Sequence, residues 1–180
     1  LDRIVAEAGD RNIRLMLGLC DNWAHNGGIF QYVHWATKEH PESVDTNLNK
    51  EGVLYHDQFW TNAYCKQWYK DYVTRLLNRT NSVTGVIYKN DPTIFAWEIV
   101  NEPRCESDFS GRKIHNWLNE MSDFVRSIDT NHMLGNGEEG GYVNTYEFAD
   151  TIPWEVYPDN YYHYATYATG SSSCDLYGCG

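Results

Sequence analysis

Ala96-Trp97-Glu98-Ile99-Val100-Asn101-Glu102-Pro103-Arg104-Cys105 is the stretch from which the fold of this chain can be read. It follows the turn signal Asp91-Pro92-Thr93 and belongs to the apolar run Ile94 to Val100, expected of a strand buried on both faces. Asn-Glu-Pro ends that run. Proline has no N–H to donate to a continuing ladder, so the strand stops at about Glu102 and leaves an amide and a carboxylate side by side at its C-terminal mouth. In an α/β barrel, catalytic groups stand at that end of a strand.

Working outward, Gly111 breaks the loop after Cys105, and Ile114, Trp117, Leu118, Met121, Phe124, Val125 and Ile128 form a clean amphipathic stripe. Asp129-Thr130-Asn131 ends that helix. His132 to Gly135 is a short strand candidate, Asn136 to Tyr142 an acidic, glycine-rich loop, and Trp154 to Tyr157 a further short strand closed by Pro158-Asp159. Upstream, Tyr64, Cys65, Trp68, Tyr72, Val73, Leu76 and Leu77 predict a helix whose aromatics pack against a sheet. Residues 37–61 show no clear period and read as an elaborated loop. Leu1, Ile4, Val5 and Ala8 fall at i, i+3, i+4 and i+7 of a helix that Gly9-Asp10 ends, before the apolar run Ile13 to Leu19. Cys20 to Gly28 is then polar and glycine-rich, the character of a βα loop on a functional face. Strands alternating with helices predict α/β architecture, about four parallel strands with crossover helices. The tail from Tyr161 has no readable element.

At 180 residues the chain is long enough for one core but short of the ~250 typical of a complete eight-fold barrel. Residues 1–180 therefore read as a single, incomplete domain. Leu1 opens directly on a helical pattern, so any signal peptide has been removed or lies upstream. The net charge of -11 repels phosphate backbones and anionic lipid, and no apolar run has the length of a membrane span, so nucleic acid and membranes are poor partners. Aromatic content of 15% suits both core packing and the stacking of pyranose rings. Cys174 and Cys179 are close enough to close a small loop in an oxidising compartment, Cys20 reads as a small buried hydrophobe, and Asn78-Arg79-Thr80 is a glycosylation sequon. The seven histidines show no metal-ligand spacing, and neither a phosphate loop nor a serine nucleophile elbow is present, so neither metal nor cofactor is expected.

The run Asp-Pro-Thr-Ile-Phe-Ala-Trp-Glu-Ile-Val-Asn-Glu-Pro-Arg-Cys resembles the glycoside hydrolase family 5 endo-β-1,4-mannanases of plants, fungi and bacteria, and Gly27-Gly28 followed by Gln31-Tyr32-Val33 and Trp35-Ala36 is similar to the same family. The resemblance implies part of a (β/α)8 TIM barrel, the four strands being the third to sixth, and secretion to the extracellular space. It also implies a polysaccharide substrate: mannan, glucomannan or galactomannan.

Breaking a glycosidic bond by the retaining route needs one carboxyl group that keeps its proton and a second, about 5–5.5 Å away, that attacks the sugar. By resemblance Glu102 is the acid/base and Asn101 binds the hydroxyl beside the anomeric carbon. Trp23 reads either as a sugar platform or as a loop aromatic folded onto the core. Arg104 matches an arginine on the aglycone side of the cleft, or forms a loop salt bridge; Glu139 matches a glutamate of the acidic loop, or is a solvated charge. Tyr157 matches the tyrosine that touches nucleophile and sugar. The family nucleophile belongs to a later strand, beyond this chain, so residues 1–180 alone are expected to be catalytically silent. Glu155 stands where the family usually carries His, and a carboxylate there would raise the pKa of carboxyls it faces. Two rival readings remain: another β-1,4-glycanase such as an endoglucanase, and a non-catalytic glycan-binding fragment.

Overall fold

In the computed structural model, which describes residues 1–108 and 111–137, strands β1 (Leu15–Gly18), β2 (Ile94–Glu98) and β3 (Met133–Gly135) form one parallel sheet in sequence order. The strand candidate at Trp154 to Tyr157 lies outside the described residues. Met16, Ala96 and Met133 align across the sheet, as do Leu17, Trp97 and Leu134, and then Gly18, Glu98 and Gly135. The pairing skips Phe95.

Helices cover one face of this sheet. Leu17, Trp97 and Leu134 belong to the apolar core shared with the crossover helices, whereas Met16 in the alternate row is 56% exposed. Phe95, in a run expected to be buried on both faces, is 51% exposed. Strands in consecutive order with helices on one side form an arc of a singly wound barrel; a doubly wound sheet reverses its strand order and is covered on both faces.

The helices follow their stripes, with corrections. α1 (Asp2–Asp10) buries Asp2, Val5, Ala6 and Ala8, while Leu1 and Ile4 of the expected stripe are exposed. A carboxylate anchors it instead: Asp2 accepts hydrogen bonds from Arg79, from Tyr88 Oη at 2.5 Å and from Ser82, and these hold its carboxyl well below the usual range. α2 (Gly28–Glu39), which the sequence reading left without an element, buries Ile29, Tyr32, Val33 and Ala36 at i, i+3, i+4 and i+7. The elaborated loop at 37–61 holds the short helix α3 (Val53–His56) and the 3-10 turn Asp57–Trp60, which send Tyr55, Phe59 and Trp60 into the core.

α4 (Ala63–Leu77) starts where Asn62 accepts the N–H groups of Tyr64 and Cys65 at 2.9 and 3.1 Å. Its buried face is Cys65, Tyr69, Val73 and Leu77. Tyr64 and Tyr72, expected in the core, are exposed on an adjoining row. There Tyr64 stacks on His40 with centroids 3.5 Å apart, and Trp68 meets Trp35 edge-on at 6.4 Å. α5 (Arg112–Ile128) buries Ile114, Trp117, Leu118, Met121 and Val125 as its stripe predicts. Among the described residues no helix is long and apolar enough to cross a membrane.

Candidate active site

At the C-terminal ends of β1 and β2 the two segments continue side by side beyond the strands. Leu19 N–H donates to Glu98 O at 2.7 Å, Asn101 N–H to Cys20 O at 3.0 Å and Asn22 N–H to Asn101 O at 3.1 Å. The loop after β1 then turns back into α2 through the glycine pair. Gly27 caps the turn at φ +82°, and a Cβ on Gly28 would stand 1.9 Å from the Asp21 carbonyl oxygen, which accepts the Ile29 N–H at 2.9 Å. That close approach gives the Gly27-Gly28 motif its physical reason.

The sequence predicts a strand running to about Glu102, but β2 ends at Glu98, and Glu102, four residues on, lies in the left-handed region, φ +51°, which a residue with a Cβ adopts only under constraint. The constraint is visible on both sides: Pro103 follows, and Glu102 N–H donates to Gly137 O at 2.9 Å. Gly137 comes this close because it lacks a Cβ, which would fall 2.0 Å from Val100 O. Gly137, two residues after β3, thus holds the backbone that aims Glu102.

Trp23, Arg104 and Glu102 form one assembly. Trp23 Nε1 donates to Glu102 Oε2 at 2.5 Å, the Arg104 guanidinium lies over the Trp23 ring at 4.4 Å, and Arg104 Nη2 is 4.0 Å from the same Oε2. One face of Trp23 is therefore covered by a cation, its edge addresses the carboxylate, and the ring is only partly buried. The carboxylate side chain stays 35% exposed. Beside it Asn101 Nδ2 donates to Asp21 Oδ1 at 3.3 Å, which uses one of the two amide protons and leaves the amide oxygen for another partner.

A further carboxyl group stands at this mouth, one that the sequence reading does not single out. Glu98 lies half-buried beneath the mouth, and its carboxyl pKa is raised, first by burial and then by the negative charges of Asp21 and Glu102. Its row neighbours are Gly18 and Gly135, so no side chain on either adjacent strand shields it. A lone acid in an otherwise apolar strand, matched by glycines in both neighbouring strand candidates, was the available signal.

Glu139 and Tyr157, with Glu138 and Glu155, lie outside the described residues. Cys20, Cys65 and Cys105 are free thiols whose pKa values burial pushes up to about 12, which keeps them neutral. Among the described residues no group of three or more His, Cys, Asp or Glu is placed to hold a metal ion.

A family model described as glycoside hydrolase family 5 β-mannosidase-like matches residues 1–167. Mannan endo-1,4-β-mannosidase 2 of Arabidopsis thaliana is 45% identical over 142 residues, 79% of this chain and 31% of that protein. Mannan endo-1,4-β-mannosidase 5 of the same plant is 36% identical over 93% of this chain and 42% of its own length. Among solved structures, the endo-β-1,4-mannanase of Thermotoga petrophila superposes with a TM-score of 0.69 at 39% identity, over 81% of this chain and 28% of that one. The endo-1,4-β-mannanase of Rhizomucor miehei gives 0.65 at 37% identity, over 81% and 40%. The chain thus spans a third to two fifths of the length of these curated relatives.

Proposed function

We propose, for a chain that belongs to the glycoside hydrolase family 5 β-mannosidase-like family, that the full-length protein hydrolyses internal β-1,4-mannosidic bonds of mannan, glucomannan or galactomannan by the retaining route, with Glu102 as acid/base. The observation that carries this reading is the grip on Glu102. Its backbone is fixed at φ +51° at a strand mouth, and one carboxyl oxygen is engaged by the Trp23 N–H while the other is left for a proton.

In the first step Glu102 gives its Oε1 proton to the glycosidic oxygen as the bond to the anomeric carbon breaks, and a second carboxylate forms a bond to that carbon. In the second, the Glu102 anion takes a proton from water, whose oxygen displaces that carboxylate from the sugar. Oε2 accepts the indole N–H in both protonation states, so the side chain does not reorient between them. Asn101 offers its remaining amide groups to the hydroxyl beside the anomeric carbon, a bond that strengthens as charge develops there. Arg104, Tyr157 and Glu139 complete the substrate contacts in this reading, the nucleophile lies on a later strand, and residues 1–180 are one incomplete barrel domain. Reducing-sugar release by the full-length protein from mannan and from cellulose tests it: turnover of mannan is expected, and a preference for cellulose would replace it with an endoglucanase reading.

Secretion belongs to the same proposal and is supported by Asn78, exposed at the C-terminal end of α4 within its sequon. Expression through a eukaryotic secretory pathway should yield a glycan at Asn78 that a peptide N-glycosidase removes; secreted protein without it would count against this part.

A further inference from the structure

We propose that His56 and Asp57 are positioning residues for the acid/base, a buried pair that locks the loops after β1 and β2 against each other; the inference rests on the functional reading of Glu102 given above. His56 and Asp57 are each 3% exposed. His56 Nδ1 lies 2.8 Å from Asp57 Oδ1, and its Nε2 lies 2.9 Å from Asn22 Oδ1. Asn22 Oδ1 also accepts the Arg104 N–H at 3.2 Å, which fixes that atom as the oxygen of the amide. Both ring nitrogens therefore face oxygen atoms, and the ring bridges Asp57 and Asn22.

The outer bonds of the pair reach both loops. Asp57 Oδ2 accepts the Ser107 N–H at 2.6 Å, and Asn22 carries the contact to Arg104. Trp60, on the same 3-10 turn as Asp57, donates from Nε1 to Arg104 O at 3.1 Å. Asn22 precedes Trp23, and Arg104 covers Trp23, the donor to Glu102. Hydrogen bonds within the protein replace bonds to water, so the pair adds only modestly to net stability. Its effect here falls on geometry: it holds Trp23 and Arg104 in register so that the indole N–H meets Oε2. A displacement of about 1 Å at such a site costs on the order of 10²-fold in rate.

The test uses His56→Ala, His56→Gln and Asp57→Asn in the full-length protein, with thermal unfolding as a check on folding. His56→Ala should lower kcat/KM on mannan about tenfold or more, and on an aryl mannoside with an activated leaving group less than twofold, since only the first needs proton donation. His56→Gln, which restores one donor, should recover part of the loss. Backbone amides of Arg104 and Ser107 should exchange with solvent at least tenfold faster in His56→Ala and Asp57→Asn, with α5 unchanged. Equal losses on both substrates, or unchanged exchange at Arg104 and Ser107, would overturn the proposal. Should the wild type cleave neither substrate, the functional reading fails, and the exchange data alone still decide whether the pair locks the loops.

Discussion

Trp23 Nε1 and Glu102 Oε2 meet at 2.5 Å although 79 positions separate them in the chain. A hydrogen bond to a charged group is worth about 1.5–3 kcal/mol, and Trp23→Phe removes it while keeping an aromatic ring under Arg104. Steady-state kinetics of the full-length protein on mannan should show kcat/KM reduced by roughly tenfold to a hundredfold. An unchanged rate would mean that the contact does not serve the reaction.

Backbone strain at Glu102 gives a prediction independent of activity. The φ of +51° disfavours any residue with a Cβ, so Glu102→Gly should be more stable than Glu102→Ala by about 1 kcal/mol in urea unfolding. In ordinary backbone the order is reversed, and a more stable alanine variant would show that the strain is absent.

At the glycine pair the two positions should behave differently. Gly27→Ala meets no atom within 4 Å and bears only the cost of its positive φ, about 1 kcal/mol, whereas Gly28→Ala drives a Cβ into the Asp21 carbonyl 1.9 Å away and should cost about 3 kcal/mol or more. Thermal unfolding of the two variants checks the order.

The N-terminal side of the sheet carries a pH signature. Burial alone would lower the pKa of His132, but its hydrogen bonds to Asp129 Oδ2 at 2.7 Å and to Asp91 O at 3.0 Å outweigh it and raise the value. Burial likewise opposes the charge on Asp129, and bonds from His132, Trp97 and Asn131 reverse that and depress it. The His132 contribution is full below its unfolded value of 6.5 and fades as pH rises through the raised folded value. The Asp129 contribution is present above 3.8 and fades as pH falls through the depressed one. These are two sides of one interaction, strongest between those values. His132→Gln should therefore lower the melting temperature more at about pH 5.5 than at about pH 9; an equal deficit at both would remove the ion pair from the account.

Much of this architecture was legible because burial writes a period into the sequence. α5 stands where its stripe puts it, and β2 starts at Ile94 as expected but ends at Glu98, short of Glu102. α2 was hidden by its start, since Gly27-Gly28 reads as loop even though Ile29, Tyr32, Val33 and Ala36 follow at helical spacing. The face of α4 is one row narrower than its pattern suggests, because Tyr64 and Tyr72 count as apolar yet are exposed, Tyr64 packing beside His40 and Trp68. In the site, the position of Asn101 and Glu102 just beyond a strand was readable from the apolar run before them and the proline after them, although the strand itself ends at Glu98. The roles of Trp23, Glu98 and Gly137 were not, because each depends on contacts between segments far apart in sequence.

Glu102→Gln in the full-length protein, assayed on mannan and on an aryl mannoside with an activated leaving group, tests the acid/base assignment most directly. The amide keeps the shape and the acceptor for Trp23 Nε1 but has no proton to transfer. General acid help is worth about 10²–10⁴-fold, so kcat/KM on mannan should fall by that order while kcat/KM on the activated glycoside changes far less. Equal losses on the two substrates would contradict the assignment of Glu102 as the group that protonates the leaving oxygen.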